Sequence, residues 1–209
     1  MDDEFQKRYL DHQAKKVKQL ASQDGEKEFY RFNPVQQGNF FNILGERRSQ
    51  RIFNRTPIEQ EKLDLLAGAI RLCPSSCNRQ AISIKDISSR DEKELLSGLL
   101  VGGVGWCHRA DHIFLLFANA QAYKAEGEIT YMPYLDAGAM IEQIYLTATV
   151  LNLGVSYINP NIRENNKSFF KERYGEEGLI YCGCIVLGYY DKKVKETPKR
   201  LAKDIWIEH

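Results

Sequence analysis

Apolar residues change their period along this chain, and each change of period marks an element. Thr56, Pro57 and Glu59 stand in the order of an N-cap, a first helical residue and a capping-box partner. Leu63, Leu66, Ala67 and Ile70 follow at helical spacing, which predicts a helix from Thr56 to near Leu72, stopped by Pro74. PSSCNRQ then reads as a polar turn and AISIKDI alternates like a strand. Ser89 and Glu92 form a second capping box that opens a short helix through Leu100. GGVG, residues 102–105, is a loop. HIFLLFANA is a continuous apolar run of strand length, as expected of a central strand covered on both faces. The longest predicted helix runs from Pro133 to Leu153 and is closed by Gly154. Its apolar residues go most of the way round, so it is buried in the domain or lies in a subunit interface. RENNKSFFKERYG predicts a short surface helix and LIYCGCIVLGYY another buried strand. The elements follow no strict βαβ rhythm, which gives an α+β class.

Residues 1 to about 30 are highly charged, with a thin scatter of Phe5, Tyr9, Val17 and Leu20. They predict a peripheral helix, so residues 1–40 read as a helical amino-terminal extension. Residues 41–209 read as the folded domain with a basic carboxy-terminal arm. The 29 basic and 28 acidic side chains leave a net charge of +1. That balance argues against a protein that lives on nucleic acid or on an anionic membrane. The start, MDDEFQKRYL, lacks the apolar core of a secretion signal. No stretch approaches the roughly 20 apolar residues that a bilayer span needs. Cys73, Cys77, Cys107, Cys182 and Cys184 make an odd number in a chain long enough to fold without staples, which predicts reduced thiols and a cytoplasmic protein.

Against this neutral background ERRSQRIFNR, residues 46–55, gathers Arg47, Arg48, Arg51 and Arg55 around Ser49. Guanidinium groups match phosphate oxygens bidentately and a hydroxyl adds a neutral donor; a solvated charged loop is the plain alternative. The Pro74–Gln80 turn packs hydroxyls and amides that can hydrogen-bond a planar heterocycle or a phosphate, or serve only the local backbone. Lys199 and Arg200 in the tail are a third basic element.

These pieces resemble, in order, the motifs of the nitroreductase family of FMN-dependent NAD(P)H oxidoreductases. Arg47, Arg48, Ser49, Arg51 and Phe53 are similar to its opening signature. PSSCNRQ is similar to its turn of proline, serine, small residue, asparagine, any residue and glutamine, although the Pro-Trp that often follows is Ala81-Ile82 here. DAGAMIEQIYLTATVLNLG resembles its long central helix, and CIVLGYYDKKVKETPKR its last core strand and basic tail. The resemblance implies a mostly antiparallel central sheet flanked by helices, a domain-exchanged homodimer, and FMN bound in the dimer interface. Carried over position by position, Arg47 and Ser49, beside Arg48, would hold the FMN phosphate with Lys199 and Arg200. Arg51 would lie at the pyrimidine edge of the ring. Pro74, Ser75, Ser76, Asn78 and Gln80 would reach it from the opposite subunit. The loop at Pro160 and Asn161 would offer backbone donors near the reactive flavin nitrogen. The expected activity is hydride transfer from NAD(P)H to a small electron-poor acceptor such as a nitroaromatic or quinone. Such transfer needs orientation more than a side-chain acid or base, so no catalytic side chain is expected.

A flavin-binding protein of the same fold without turnover, acting as a sensor or structural element, is the first alternative. Zinc held by Cys73-x3-Cys77 and Cys182-x-Cys184 is a second, although the spacing misses the usual pairs. His108 and His112 read more simply as part of a solvated loop entering a strand than as metal ligands, and Cys77 more simply as turn filler than as a redox thiol.

Overall fold

The two apolar runs meet as neighbours at the centre of one sheet. The computed structural model describes residues 34–201 and 205. In it β1 (Ile82–Ile87), β2 (His112–Asn119), β3 (Gly154–Ile158) and β4 (Leu179–Gly188) are antiparallel in the order β1-β2-β4-β3. The helices are α1 (Pro34–Glu46), α2 (Gln60–Ile70), α3 (Arg90–Leu99), α4 (Glu126–Val150) and α5 (Lys167–Tyr174). Residues from Asn42 onward form one compact unit, and residues 34–41 belong to a separate one. The helix predicted for the first 30 residues lies outside the described residues.

Alternation along β2 divides the core in two. Leu116 joins Leu66 of α2 and Ile144 and Ala148 of α4 on one face. Leu115 and Phe117 join Leu96 and Leu99 of α3 and Phe170 of α5 on the other. The result is helix, sheet and helix in three layers, and each fully buried Leu or Ile adds about 1.5–3 kcal/mol. An irregularity sits where Leu115 pairs with Cys184 but Phe117 pairs with Tyr181, so β4 carries one extra residue. Gly183 is there at φ 105°, and a Cβ on it would fall 2.6 Å from the Tyr157 ring and 2.7 Å from the Ile158 carbonyl oxygen. The bulge reverses the side-chain alternation, which puts Cys182 on the α4 face and Cys184 on the α3 face. Two thiols on opposite faces cannot share a zinc ion. Burial pushes the Cys182 thiol up to about 12 and Cys184 higher still.

Three predicted boundaries moved. The helix expected from Thr56 starts at Gln60. The Thr56 N–H donates to Asn54 Oδ1 (3.0 Å) and the Ile58 N–H to Asp111 Oδ2 (2.7 Å), so side chains satisfy the donors that helical capping would have served. The long helix begins seven residues ahead of Pro133, at Glu126, and keeps Pro133 inside it. Glu126 and Glu128 stand in its first turn, where carboxylates complement the helix dipole, and Glu128 Oε2 accepts the Lys124 N–H at 3.0 Å. Its end is shaped by Asn152 at φ 58°, with the Leu153 N–H donating to Ala148 O (2.8 Å), and not by Gly154. Gly154 opens β3, where a Cβ would meet Gln50 Cγ at 2.8 Å.

Ser89 caps α3, its hydroxyl accepting the Glu92 N–H at 3.4 Å, but the box is not closed, because the Glu92 carboxylate turns to Arg173 and the Tyr174 hydroxyl. Beyond the end of α3, His112 Nδ1 lies 2.9 Å from Asp86 and its Nε2 lies 3.3 Å from Asp111 Oδ2. The buried Lys93 ammonium donates to the backbone carbonyls of Ala110 and Asp111. His112 is therefore tied into the start of β2, and its hydrogen bond to Asp86 raises its pKa.

Candidate functional site

β3 is an edge strand, and the arginine segment docks on it. Ser49 makes a single parallel bridge to Val155, and the Gln50 N–H donates to Val155 O at 2.8 Å. The Gln50 side chain, 2% exposed, donates to Ile52 O and Lys192 O at 2.9 Å each and accepts the Val194 N–H at 3.3 Å. One buried amide thus fastens the carboxy-terminal arm beside the arginines. Tyr145 of α4 organises the surface above. Its hydroxyl accepts the Tyr157 N–H at 2.7 Å and lies 3.2 Å from Ser49 Oγ, while the Arg47 guanidinium covers its ring at 5.2 Å.

The arginines separate into two kinds. Arg47 rests on Tyr145 and Arg51 on Trp106 (5.9 Å), whose indole stacks on Phe53 and donates to Gly102 O. Among the described residues neither makes an ion pair, and stacking on a ring face leaves guanidinium N–H groups free for an incoming anion. Arg48 is a strut. Its guanidinium donates to Arg47 O (2.8 Å) and Gly45 O (2.5 Å) and faces Glu196 at 3.5 Å. It lines a cavity of about 220 Å³ with Glu46, Asn152 and Lys193. Its two terminal nitrogens are therefore engaged within the chain, while its buried Nε has no hydrogen-bond partner among the described residues. Lys199 and Arg200 are exposed, and among the described residues no hydrogen bond or ion pair joins them to the arginine segment.

The Pro74–Gln80 turn is built on a different anchor. Asp136 of α4, 6% exposed, accepts the Ser76 N–H on one oxygen (2.9 Å) and the Tyr123 hydroxyl on the other (3.0 Å). Ser75 Oγ accepts the Gln80 N–H at 3.0 Å, so this hydroxyl serves the turn. Arg79 covers the Tyr123 ring and pairs with Glu128 at 3.2 Å. Cys77, Asn78 and Gln80 hold φ of 51°, 55° and 51°, left-handed values that ordinary residues rarely adopt, with Arg79 at φ −70° between them. This geometry projects the Asn78 and Gln80 side chains into solvent, with Pro74 exposed beside them.

Asp136 and Tyr145 are nine residues apart on α4, which places them about 14 Å apart along the axis and about 180° around it. The turn and the arginine segment therefore lie on opposite flanks of one helix. Tyr134, eleven residues before Tyr145, is about 16 Å away but only about 20° around, on the arginine flank. From Val155, β3 runs toward that end, and the loop at Asn159–Asn161 follows it. Pro160 has no N–H, and the Asn161 N–H is taken by Asn159 Oδ1 at 3.2 Å.

Residues 44–104 match the nitroreductase family by a family model. The chain is 35% identical over 74 residues to the FMN reductase [NAD(P)H] of Bacillus subtilis (strain 168), a match spanning 35% of this chain and 29% of that protein. Its fold is that of solved structures. One is an FMN-dependent nitroreductase from Clostridium difficile R20291 (TM-score 0.64, 23% identity, 78% of this chain and 93% of that one). Another, assigned as a nitroreductase and in complex with FMN, is from Desulfovibrio desulfuricans (TM-score 0.67, 20% identity, 86% and 98%). The signature segment is thus similar to the nitroreductase family, and the fold is that of these solved structures. The nitroreductase fold accounts for the antiparallel sheet and long helix expected above. Among the described residues no three His, Cys, Asp or Glu side chains converge as a metal site, and no helix is long and apolar enough to cross a membrane.

Sequence reading missed Tyr145, Gln50 and Asp136. Tyr145 was hidden in an apolar helix where an aromatic reads as core, and Gln50 among arginines that drew the eye. Asp136 was legible as the one carboxylate between Leu135 and Ala137.

Proposed function

We propose that this nitroreductase-fold chain is an FMN-dependent oxidoreductase that passes hydride from NADH or NADPH to an electron-poor acceptor, working as a homodimer in the cytoplasm. The observation that carries the reading is the pair of guanidinium groups, Arg47 and Arg51, held on aromatic rings without carboxylate partners among the described residues. The donor set fits FMN. Arg47 and Ser49 sit together on Tyr145 as a cation and a hydroxyl for the phosphate, with Lys199 and Arg200 adding charge from an arm that Gln50 fastens nearby. Arg51 supplies a cation at the pyrimidine end, where negative charge on a reduced ring is stabilised.

When bound, FMN supplies the two-electron carrier: NAD(P)H, a proton and the acceptor give NAD(P)⁺ and the reduced acceptor. The chain's own part is to orient and to exclude water. The left-handed turn projects Asn78 and Gln80 outward from the flank that does not carry the arginines. A second copy is thus the natural source of Pro74, Ser75, Ser76, Asn78 and Gln80 for the first copy's site. Pro160 and Asn161 then act as a shaped wall.

The test uses the purified full chain. Flavin absorption that NADH or NADPH bleaches without oxygen, and that a nitroaromatic or quinone restores, supports the reading. Flavin that stays oxidised under either nucleotide would make the chain a flavin-binding module. Protein that takes up no added FMN overturns the proposal.

A further inference from the structure

The open cavity beside the Asn159–Asn161 loop has a volume of about 680 Å³ and an unbalanced charge. Its floor is aromatic. Phe170 is buried, its ring centroid 4.8 Å from that of Tyr181 at an interplanar angle of 50°, and Tyr134, 44% exposed, forms the α4 side. Three charged side chains line the rim: Arg163, Glu164 and Lys167. Lys167 Nζ and Glu164 Oε2 neutralise each other at 2.6 Å. Arg163 makes no side-chain ion pair or hydrogen bond among the described residues, so one positive charge is uncompensated.

The frame around Arg163 is held on both sides. Its N–H donates to Leu99 O at 3.3 Å and its carbonyl accepts the Asn166 N–H at 2.8 Å. The Val101 N–H donates to Asn161 O at 3.2 Å, and Leu100 bridges Ile162. Backbone placement is fixed while the guanidinium remains available. A wall of ring faces with one free fork-shaped cation at its edge suits a planar aromatic ring that carries a carboxylate. The volume lies within the range of small-ligand sites.

We propose that this cavity selects an aryl carboxylate as electron acceptor, with Arg163 as the specificity-determining residue. The identification as an acceptor rests on the reductase reading; the binding selectivity does not.

The experiment therefore reads binding and turnover separately. Binding of 4-nitrobenzoate and of its neutral isostere 4-nitrobenzamide to the full-length oxidised protein is followed by ligand-observed NMR, with no reductant present. The wild type binds the acid about fivefold to tenfold more tightly than the amide, the scale of a partly exposed charge-assisted contact. Arg163→Ala abolishes that preference and leaves the amide unchanged, while Arg163→Lys keeps part of it. In FMN-loaded protein with NADPH, Arg163→Ala raises KM for 4-nitrobenzoate by the same factor at constant kcat, with KM for NADPH unchanged. Equal binding of acid and amide by the wild type sinks the proposal. So does a variant that weakens both alike, or one that raises KM for NADPH alone, which would assign Arg163 to the nucleotide. Selective binding without turnover removes the reductase reading and leaves the anion site standing.

Discussion

On one flank of α4 the Asp136 carboxylate is consumed by the Ser76 N–H and the Tyr123 hydroxyl, and Arg79 is consumed by Glu128. On the other flank Tyr145 holds Ser49 and Arg47 in place, but the cation it supports has no carboxylate among the described residues. Both flanks are polar and both are attached to the same helix. The difference lies in whether charge is closed internally. A closed network stiffens a strained loop, whereas cations parked on aromatic faces are rigid yet still able to receive an anion. Charge density in the sequence does not distinguish the two cases; partner assignment does.

Breaking the closed flank has the largest expected effect on stability. Asp136→Ala leaves two donors without their acceptor and releases the left-handed turn, at a cost of about 3 kcal/mol by urea denaturation. A loss under about 1 kcal/mol would mean that the turn is held by other means.

On the open flank the order reverses. Arg47→Ala removes a stacked cation at little cost to stability, under about 1 kcal/mol, but weakens FMN binding by about 1.5–3 kcal/mol, read by flavin fluorescence titration. Unchanged FMN affinity would remove Arg47 from the site. Tyr145→Phe keeps the ring under Arg47 and deletes the acceptor of the Tyr157 N–H. Its expected cost is about 1 kcal/mol of stability, accompanied by a modest loss of FMN affinity as Ser49 loses its neighbour. A variant that loses stability alone would confine Tyr145 to the scaffold.

The smallest effect extends the comparison to a third polar cluster, also closed. Hydrogen bonding to Asp86 raises the His112 pKa above its ordinary value, so the folded state holds the proton more tightly than the unfolded chain. The resulting stability is fully present below about pH 6.5 and is lost as pH rises through the higher folded value. Melting temperatures across that interval should fall in the wild type, and His112→Asn should flatten that part of the curve. Burial and the Lys93 charge oppose the shift while Asp111 adds to it, which keeps the slope shallow.

Much of the fold was legible because it depends on local periodicity. β1, β2, β4, α3 and α5 stand close to where alternation, apolar runs and the Ser89 cap put them. Each misplaced boundary has its own cause. At Thr56 and Ile58, side chains distant or local took the backbone donors, and at Pro133 the preceding acidic turn carried the helix through a residue that usually starts one. The sheet register at Gly183 could not be read either, since a bulge is recognised only when its partner strand is known. Within the site, residue types were legible and allegiances were not. Arg47, Arg48 and Arg51 look alike in a string, yet Arg48 is a strut and the other two are open.

By itself the sequence determined the α+β class, the buried strands, the neutral overall charge and the location of the basic segments, since each follows from composition or from neighbours a few residues away. Tertiary structure alone decided that Cys182 and Cys184 face opposite ways, that Asp136 and Tyr145 divide the polar surface into a closed and an open half, and which arginines keep their charge unspent. Those outcomes depend on pairs far apart in the chain, such as Ser49 with Tyr145 and Ser76 with Asp136. An electrostatic partner is fixed by distance and burial in space, and neither is encoded in a residue's neighbours along the chain.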